Sequence, residues 1–337
     1  MIKSTAELIE YLKVDKDKRE TSLVQSYVEA IFKLGSKEDA SLLLDSYLKQ
    51  HFDFAHSYLL ILFRKFGDKT FADKIFNIVI ADEKLNENAD PDILTLLAEL
   101  NYEPIKKILF NYAFSNIESD YQFQKASILG LLNYDCNEYK DTIKANIENC
   151  LNKNLFPEFI PALVCKLSDK KQMLEKLYES GDKIASTDCN AGIILGFSLC
   201  GEEGKKYFKK ALFNPNWETY SGSTGTVRFT YEGLKNLNIK FSELYNEIKQ
   251  LKEKREISYA LQVLFSLFDC RISDYENDDF ENFKTLYKTF FSWENPDSSN
   301  NLIDMARLIE MESKAYEYQK IFELKMTEEI IIENYSS

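Results

Sequence analysis

The sequence predicts an all-α fold: a right-handed α-solenoid of about eight helix–turn–helix repeats with an atypical helical C-terminal cap. Three observations predict it. Turn residues are sparse, with 11 Gly and 6 Pro in 337 residues, whereas a β-sandwich or barrel needs a turn roughly every 8 to 12 residues. Apolar residues are abundant, at 45% of the chain with 24 Phe and 20 Tyr, so there is ample surface to bury. The apolar runs also recur at a nearly constant interval, the signature of a repeat architecture.

The repeat is read from eight helical runs that end at Leu34, Phe66, Leu100, Leu132, Leu167, Cys200, Leu237 and Phe268, at intervals of 32, 34, 32, 35, 33, 37 and 31 residues. Three positions earlier stand Ile31, Phe63, Leu97, Leu129, Val164, Phe197, Leu234 and Phe265, the i, i+3 spacing of a buried helix stripe. The position before that holds Ala30, Leu62, Leu96, Ile128, Leu163, Gly196, Gly233 and Leu264, small or apolar residues that suit close helix contacts.

The turns carry their own signals. Gly35 and Gly67 are expected to take the left-handed conformation that closes a helix. Ser36 with Asp39, and Ser4 with Glu7, pair a hydroxyl cap with a carboxylate three residues on, which satisfies orphan N–H groups and the helix dipole. Asp90–Pro91 and Glu103–Pro104 place proline at a first helical position, where its missing N–H costs nothing. Second helices follow with stripes of their own: Ala40, Leu43, Leu44, Tyr47 and Leu48; Phe71, Ile75, Phe76, Val79 and Ile80; Ile105, Ile108, Leu109 and Tyr112.

Segments such as EAIFKLGSKEDASLLLDSYL (29–48) and GIILGFSLCGEEGKKYFKKAL (192–212) resemble HEAT repeats of the short bacterial kind, over roughly residues 20–270. Tetratricopeptide repeats share the period, but their Trp, Gly, Tyr and Ala positions do not recur together here. The resemblance implies a stack of hairpins, each burying its apolar face on its neighbours, with function on an extended face. The expected organisation is a repeat array over residues 1–272 and an acidic helical cap over residues 273–337.

Two departures from the repeat are candidate functional places. Residues 214–228, NPNWETYSGSTGTVR, insert Pro215, Gly222, Gly225 and a Ser/Thr run. Trp217 and Tyr220 there read either as aromatic anchors for a partner or as a connection packed on a neighbouring helix. SGSTGT also suggests a phosphate loop, but it lacks the Lys, the GKS or GKT ending and a preceding strand. The second departure begins at Ser273. Residues 274–337 hold 15 Asp and Glu against 6 Lys and Arg, so this fifth of the chain carries −9 of the net −13. Asp274, Glu276, Asp278, Asp279 and Glu281, with Trp293 beyond them, read as a surface that draws a basic partner, raising association rate more than affinity. The competing reading is a polar cap on the array. Residues 300–325 then read as one amphipathic helix sealing the last repeat.

Catalytic chemistry finds little to work with. His51 and His56 lie five apart, on different faces of a helix, with no Cys or third His beside them. No GxSxG elbow is present. Carboxylate pairs such as Asp82/Glu83, Glu202/Glu203 and Glu328/Glu329 read as solvated faces in a chain of 55 acids. Lys205, Lys206, Lys209 and Lys210 mark the wet side of a helix whose inner side is Tyr207, Phe208, Ala211 and Leu212. Lys249 through Arg255 form a second basic stretch. The net charge of −13 argues against a protein built to grip phosphates.

No apolar stretch reaches the roughly 18 residues of a membrane span, and the first residues lack the pattern of a signal peptide. Cysteines at 136, 150, 165, 189, 200 and 270 show no CxxC and read as buried thiols in a reducing, cytoplasmic compartment. The expectation is a non-enzymatic, protein-binding solenoid with no cofactor and no metal, such as an inhibitor of a basic partner, with a bacterial immunity protein neutralising a nuclease toxin as one form. The alternatives are a nucleic-acid enzyme resembling the alkylpurine DNA glycosylases in repeat architecture only, and an assembly scaffold.

Overall fold

The computed structural model describes residues 1–49, 56–114, 121–153, 159–183, 190–220, 226–273 and 327–335. In chain order the helices are α1 (Lys3–Tyr11), α2 (Thr21–Leu34), α3 (Lys37–Lys49), α4 (His56–Phe66), α5 (Lys69–Val79), α6 (Asp92–Glu99), α7 (Lys106–Phe114) and α8 (Tyr121–Leu131). There follow α9 (Lys140–Lys153), α10 (Lys171–Lys183), α11 (Asn190–Leu199), α12 (Gly201–Leu212), α13 (Thr226–Asn236), α14 (Phe241–Ile248), α15 (Lys254–Ser273) and α16 (Glu328–Tyr335). Two short strands, β1 (Ile80–Ala81) and β2 (Lys84–Leu85), form an antiparallel hairpin between α5 and α6. The protein is therefore mostly helical.

Seven of the eight expected helix ends fall within one residue of those observed, and the reason is the stripe. Ile31, Phe63, Leu97, Val164 and Phe197 are wholly buried and Leu234 nearly so, each one turn before its helix stops. Two ends differ in kind. The run that stops at Leu167 is a 3-10 helix, Ile160–Lys166, carrying Pro161, and α15 continues past Phe268 to Ser273.

The chain divides into two compact units, one formed by Met1–Asp135 with Lys325–Ser337, the other by Cys136–Leu324. In the first unit α1 lies along α3, α3 along α5, α2 along α4, α4 along α6 and α6 along α8. Polar side chains cross between these partners: Lys37 to Asp68, Arg64 to Glu99 at 2.6 Å, Lys74 to Asp45 at 3.0 Å, Thr95 to the Ala126 carbonyl at 2.8 Å. In the second unit α10 lies along α12, α11 along α13 and α13 along α15. There Asn236 donates to Ser198 at 3.1 Å, and Lys209 pairs with Glu247. Close approach is built in at Gly196, where a Cβ would lie 2.8 Å from the Pro161 carbonyl oxygen.

The capping chemistry was only partly anticipated. Ser36 and Asp39 do form a reciprocal cap at the start of α3: the Ser36 backbone N–H and hydroxyl donate to Asp39 Oδ2 at 3.0 and 2.7 Å. Gly35 is extended, at φ −80°, ψ −175°, and Gly67 is not left-handed either. Asn101 and Asn238 take that conformation instead, at φ +55° and +50°. Each closes its helix with a Schellman pair of bonds: Tyr102 N–H to the Leu97 carbonyl at 3.1 Å with Asn101 N–H to the Ala98 carbonyl at 2.9 Å, and Ile239 N–H to the Leu234 carbonyl at 2.9 Å with Asn238 N–H to the Lys235 carbonyl at 3.1 Å. Asn accepts φ > 0 because its short amide bonds locally. The expected cap from Ser4 with Glu7 gives way to another, because α1 starts at Lys3, Ser4 is inside it, and the Ser4 hydroxyl donates to Glu328.

Candidate functional site

Of the 214–228 segment, residues 214–220 and 226–228 are described and pack into the second unit, while residues 221–225, with Gly222 and Gly225, lie outside the described residues. Pro215–Trp217 form one 3-10 turn, opened by Asn214, whose Oδ1 accepts from the Asn216 N–H at 3.0 Å. Asp182 on α10 fixes that turn, accepting from Asn214 Nδ2 at 2.6 Å and Asn216 Nδ2 at 3.3 Å. The Trp217 indole is 0% exposed. It stacks on Tyr178, ring centroids 5.5 Å apart and 20° from parallel, and meets Phe197 at 5.8 Å. Gly181 on α10 leaves room for it, since any Cβ there would collide with the ring. Trp217 thus presents no exposed surface and packs on α10 and α11. Burying an indole removes a large apolar area from water, which outweighs one more contact on a loop.

Hydroxyls then satisfy the backbone that follows. Thr219 Oγ1 donates to the Leu212 carbonyl at 2.7 Å, the Thr219 N–H donates to the Tyr259 hydroxyl at 3.1 Å, and Thr230 Oγ1 donates to the Thr226 carbonyl at 2.9 Å. Burial pushes the Tyr259 phenol above its ordinary pKa, more than its bonds with Thr219 pull it down. Tyr220 is half-buried and meets Tyr259 edge-on at 5.7 Å. Asn190, wholly buried at the start of α11, donates to the Trp217 carbonyl at 3.1 Å. Trp217 Nε1 and Asn190 Oδ1 have no hydrogen-bond partner among the described residues.

Asp274, Glu276, Asp278, Asp279, Glu281 and Trp293 lie outside the described residues, as do residues 300–325 and His51. The structure does place another acidic feature in view, in the first unit. Residues 82–92 carry Asp82, Glu83, Glu87, Asp90 and Asp92 against the single base Lys84. The tip of the β1–β2 hairpin is Asp82–Glu83, both left-handed at φ +50° and +58° and both exposed. The Asn86 N–H closes the ladder on the Val79 carbonyl at 2.8 Å. The hairpin is pinned to α7 by the Leu85 N–H donating to the Tyr112 hydroxyl at 3.0 Å and by Lys107 pairing with Glu83 at 2.6 Å. Asp90 Oδ1 accepts from the Asp92 N–H at 2.9 Å at the entry to α6. Below it the Tyr47 phenol is driven well above its ordinary pKa by burial and then by the Asp90 charge. Sequence reasoning takes Asp82/Glu83 as a solvated helix face and does not join it to the rest of the cluster; the signal was five acids in eleven residues, while the turn lacks the Asn-Gly pair that announces a tight hairpin.

The lysines of α12 behave as expected of a wet helix face. Tyr207, Phe208, Ala211 and Leu212 are buried, while Lys206 sits 4.5 Å from the Tyr207 ring and Lys210 5.7 Å from that of Tyr178. Burial raises the thiol pKa values of both Cys165 and Cys200, that of Cys200 to about 12, so both stay protonated at neutral pH. Among the described residues no three His, Cys, Asp or Glu side chains gather so as to hold a metal ion, and no helix is long and apolar enough to cross a membrane. The chain matches no family model, no curated protein and no solved structure.

Proposed function

We propose that this chain is a right-handed α-solenoid of about eight HEAT-like hairpins that binds another protein through acidic surfaces, as a cytoplasmic inhibitor of a basic partner. The observation that carries the repeat reading is the recurrence of pairs two helices apart, α1–α3, α2–α4, α3–α5, α4–α6 and α6–α8 in the first unit and α10–α12, α11–α13 and α13–α15 in the second, bridged by polar side chains about one repeat apart: Lys37 to Asp68, Arg64 to Glu99, Asn214 to Asp182, Asn236 to Ser198. Such a stack presents its second helices and its insertions as a continuous surface. The acidic reading rests on the charge of −9 over residues 274–337, joined by the exposed Asp82–Glu83 tip. A nuclease toxin, basic because it grips phosphate, is the partner class this charge fits best, which makes an immunity protein the specific form of the proposal.

The test is kinetic. Immobilised full-length chain captures partners from the producing cell, and the captured protein is then purified and its association measured at two salt concentrations. Charge reversal of Asp274, Asp278, Asp279 and Glu281 to Lys is expected to slow association roughly 10-fold or more at low salt, with a smaller effect at high salt. The same reversal of Asp82, Glu83, Glu87 and Asp90 is expected to act in the same direction. Unchanged rates in both variants, or a partner with an acidic binding surface, sink the electrostatic reading. Tight, salt-sensitive capture of duplex DNA by the wild-type chain would move the function to nucleic acid.

A further inference from the structure

α1 and α16, far apart in sequence, meet in the first unit. The N-cap position of α1, Ile2, makes no side-chain cap bond, so the first N–H groups of α1 need acceptors from elsewhere. Two carboxylates from remote sequence supply them. Asp39 accepts from the Ile2 N–H at 2.9 Å and from Thr5 Oγ1 at 2.8 Å. Glu328, the first residue of α16, accepts from the Ser4 N–H at 2.6 Å, from the Lys3 N–H at 3.3 Å and from the Ser4 hydroxyl. One turn along the same face of α16, Ile331 is 1% exposed, and the helix lies along α2. Thr327 precedes α16 and caps it, its hydroxyl accepting from the Ile330 N–H at 3.4 Å.

These contacts have the form of a helix held in a receptor: a carboxylate on the positive end of α1, and an aliphatic side chain three residues on beneath α2. The occupant is weakly committed to its own fold. α16 is eight residues long, below the length at which an isolated helix holds together in water, so its helicity depends on the receptor. It is also separated in sequence from Met1–Asp135 by the whole of the second unit, Cys136–Leu324. Among the described residues α16 is tied to α1 through Glu328 and lies along α2 with Ile331 buried, and a helix this short can open locally without the rest of its unit.

We propose that α16 is a detachable latch: the α1–α2 face is a receptor for a short helix bearing an acidic residue with an isoleucine or leucine three positions later, and the chain's own C-terminal helix occupies it at rest. Release leaves the first N–H groups of α1 and the apolar side of α2 open to a partner helix of the same chemistry. This goes beyond the acidic-surface reading and does not depend on it.

The experiment uses the full-length chain. A fluorescent peptide spanning residues 325–337 is titrated against wild type, Glu328→Gln and Ile331→Asp, and amide hydrogen exchange is followed in parallel. Wild type, with its receptor filled, is expected to bind the peptide at least roughly 10-fold more weakly than Ile331→Asp, because an internal helix competes at high effective concentration. Glu328→Gln is expected to fall between them. In Ile331→Asp, exchange is expected to rise in α16 and the first turn of α1 while α4 to α8 keep their protection. Peptide binding that is absent from Ile331→Asp, Glu328→Gln that equals wild type in both readouts, or exchange that rises through α4 to α8 overturns the latch. The last result would make α16 an integral part of the core.

Discussion

Among the described residues each compact unit carries an insertion between successive helices, and the two are handled in opposite ways. In the second unit the segment after α12 turns inward: Trp217 goes to the bottom of the core, and Thr219 and Tyr259 satisfy the backbone that follows it. In the first unit the segment after α5 turns outward, into a hairpin whose exposed tip holds two non-glycine residues at positive φ, tied down by surface contacts to α7. An insertion with a large apolar side chain can lower its free energy by burial, whereas one made of acids has only local geometry and charge to hold it. Exposure in such a fold follows side-chain chemistry more closely than irregularity of the chain does.

The sharpest way to break the contrast is Trp217→Ala. Deleting a wholly buried indole is expected to cost about 3–5 kcal/mol, felt in the second unit alone. Denaturant unfolding with hydrogen exchange checks both points: protection should fall across α10 to α13 and stay in α2 to α6. Gly181→Val is expected to act in the same direction, because its side chain would enter the ring's volume. A near-neutral Trp217→Ala would mean that the segment is not part of the core.

That result bears on what the sequence could tell. Helix ends were legible because each has a large apolar residue one turn before it, a local pattern enforced by burial: Ile31, Phe63, Leu97, Phe197. Trp217 stayed open between an anchor and a packed connection because Gly, Ser and Thr around it report an irregular backbone, and no local pattern says which way the indole turns. The cap of α1 was missed for a different reason. Ser4 and Glu7 have the right spacing, but the acceptor is Glu328, 324 residues away, and no local window contains it. The left-handed positions went to Asn101 and Asn238 rather than Gly35 and Gly67, and Gly35 instead runs on extended.

A second comparison concerns carboxylates. Burial pushes the Asp39 carboxyl up, but bonds from Ser36, Ile2 and Thr5 outweigh it and hold it below its ordinary pKa. A carboxyl depressed in the folded state contributes stability that is fully present above its unfolded pKa, near about 4, and is lost as pH falls through the folded value. Asp39→Asn is therefore expected to cost about 1–2 kcal/mol near neutral pH, and to make the first unit's stability less steep with acid below about pH 4. Thermal melts from pH 7 to pH 2 measure both. An unchanged acid limb would show that Asp39 is not among the groups that set it.

The smallest effect is the most discriminating. Asp82 and Glu83 occupy the two central positions of a hairpin turn at φ +50° and +58°, a conformation that costs an L-residue about 1 kcal/mol and that Asn-Gly adopts readily. Replacing them together, Asp82→Asn with Glu83→Gly, relieves that strain and removes the exposed pair between Glu83 and Lys107, which is worth only about 0.2–1 kcal/mol. The net expectation is stabilisation by about 0.5 kcal/mol, readable as a small rise in melting temperature, together with slower association with a basic partner. Both changes belong together if the tip keeps strained acids because they are used. Stabilisation with unchanged association would leave the hairpin as a tolerated irregularity, and a loss of stability would show that the charges themselves hold the insertion in place.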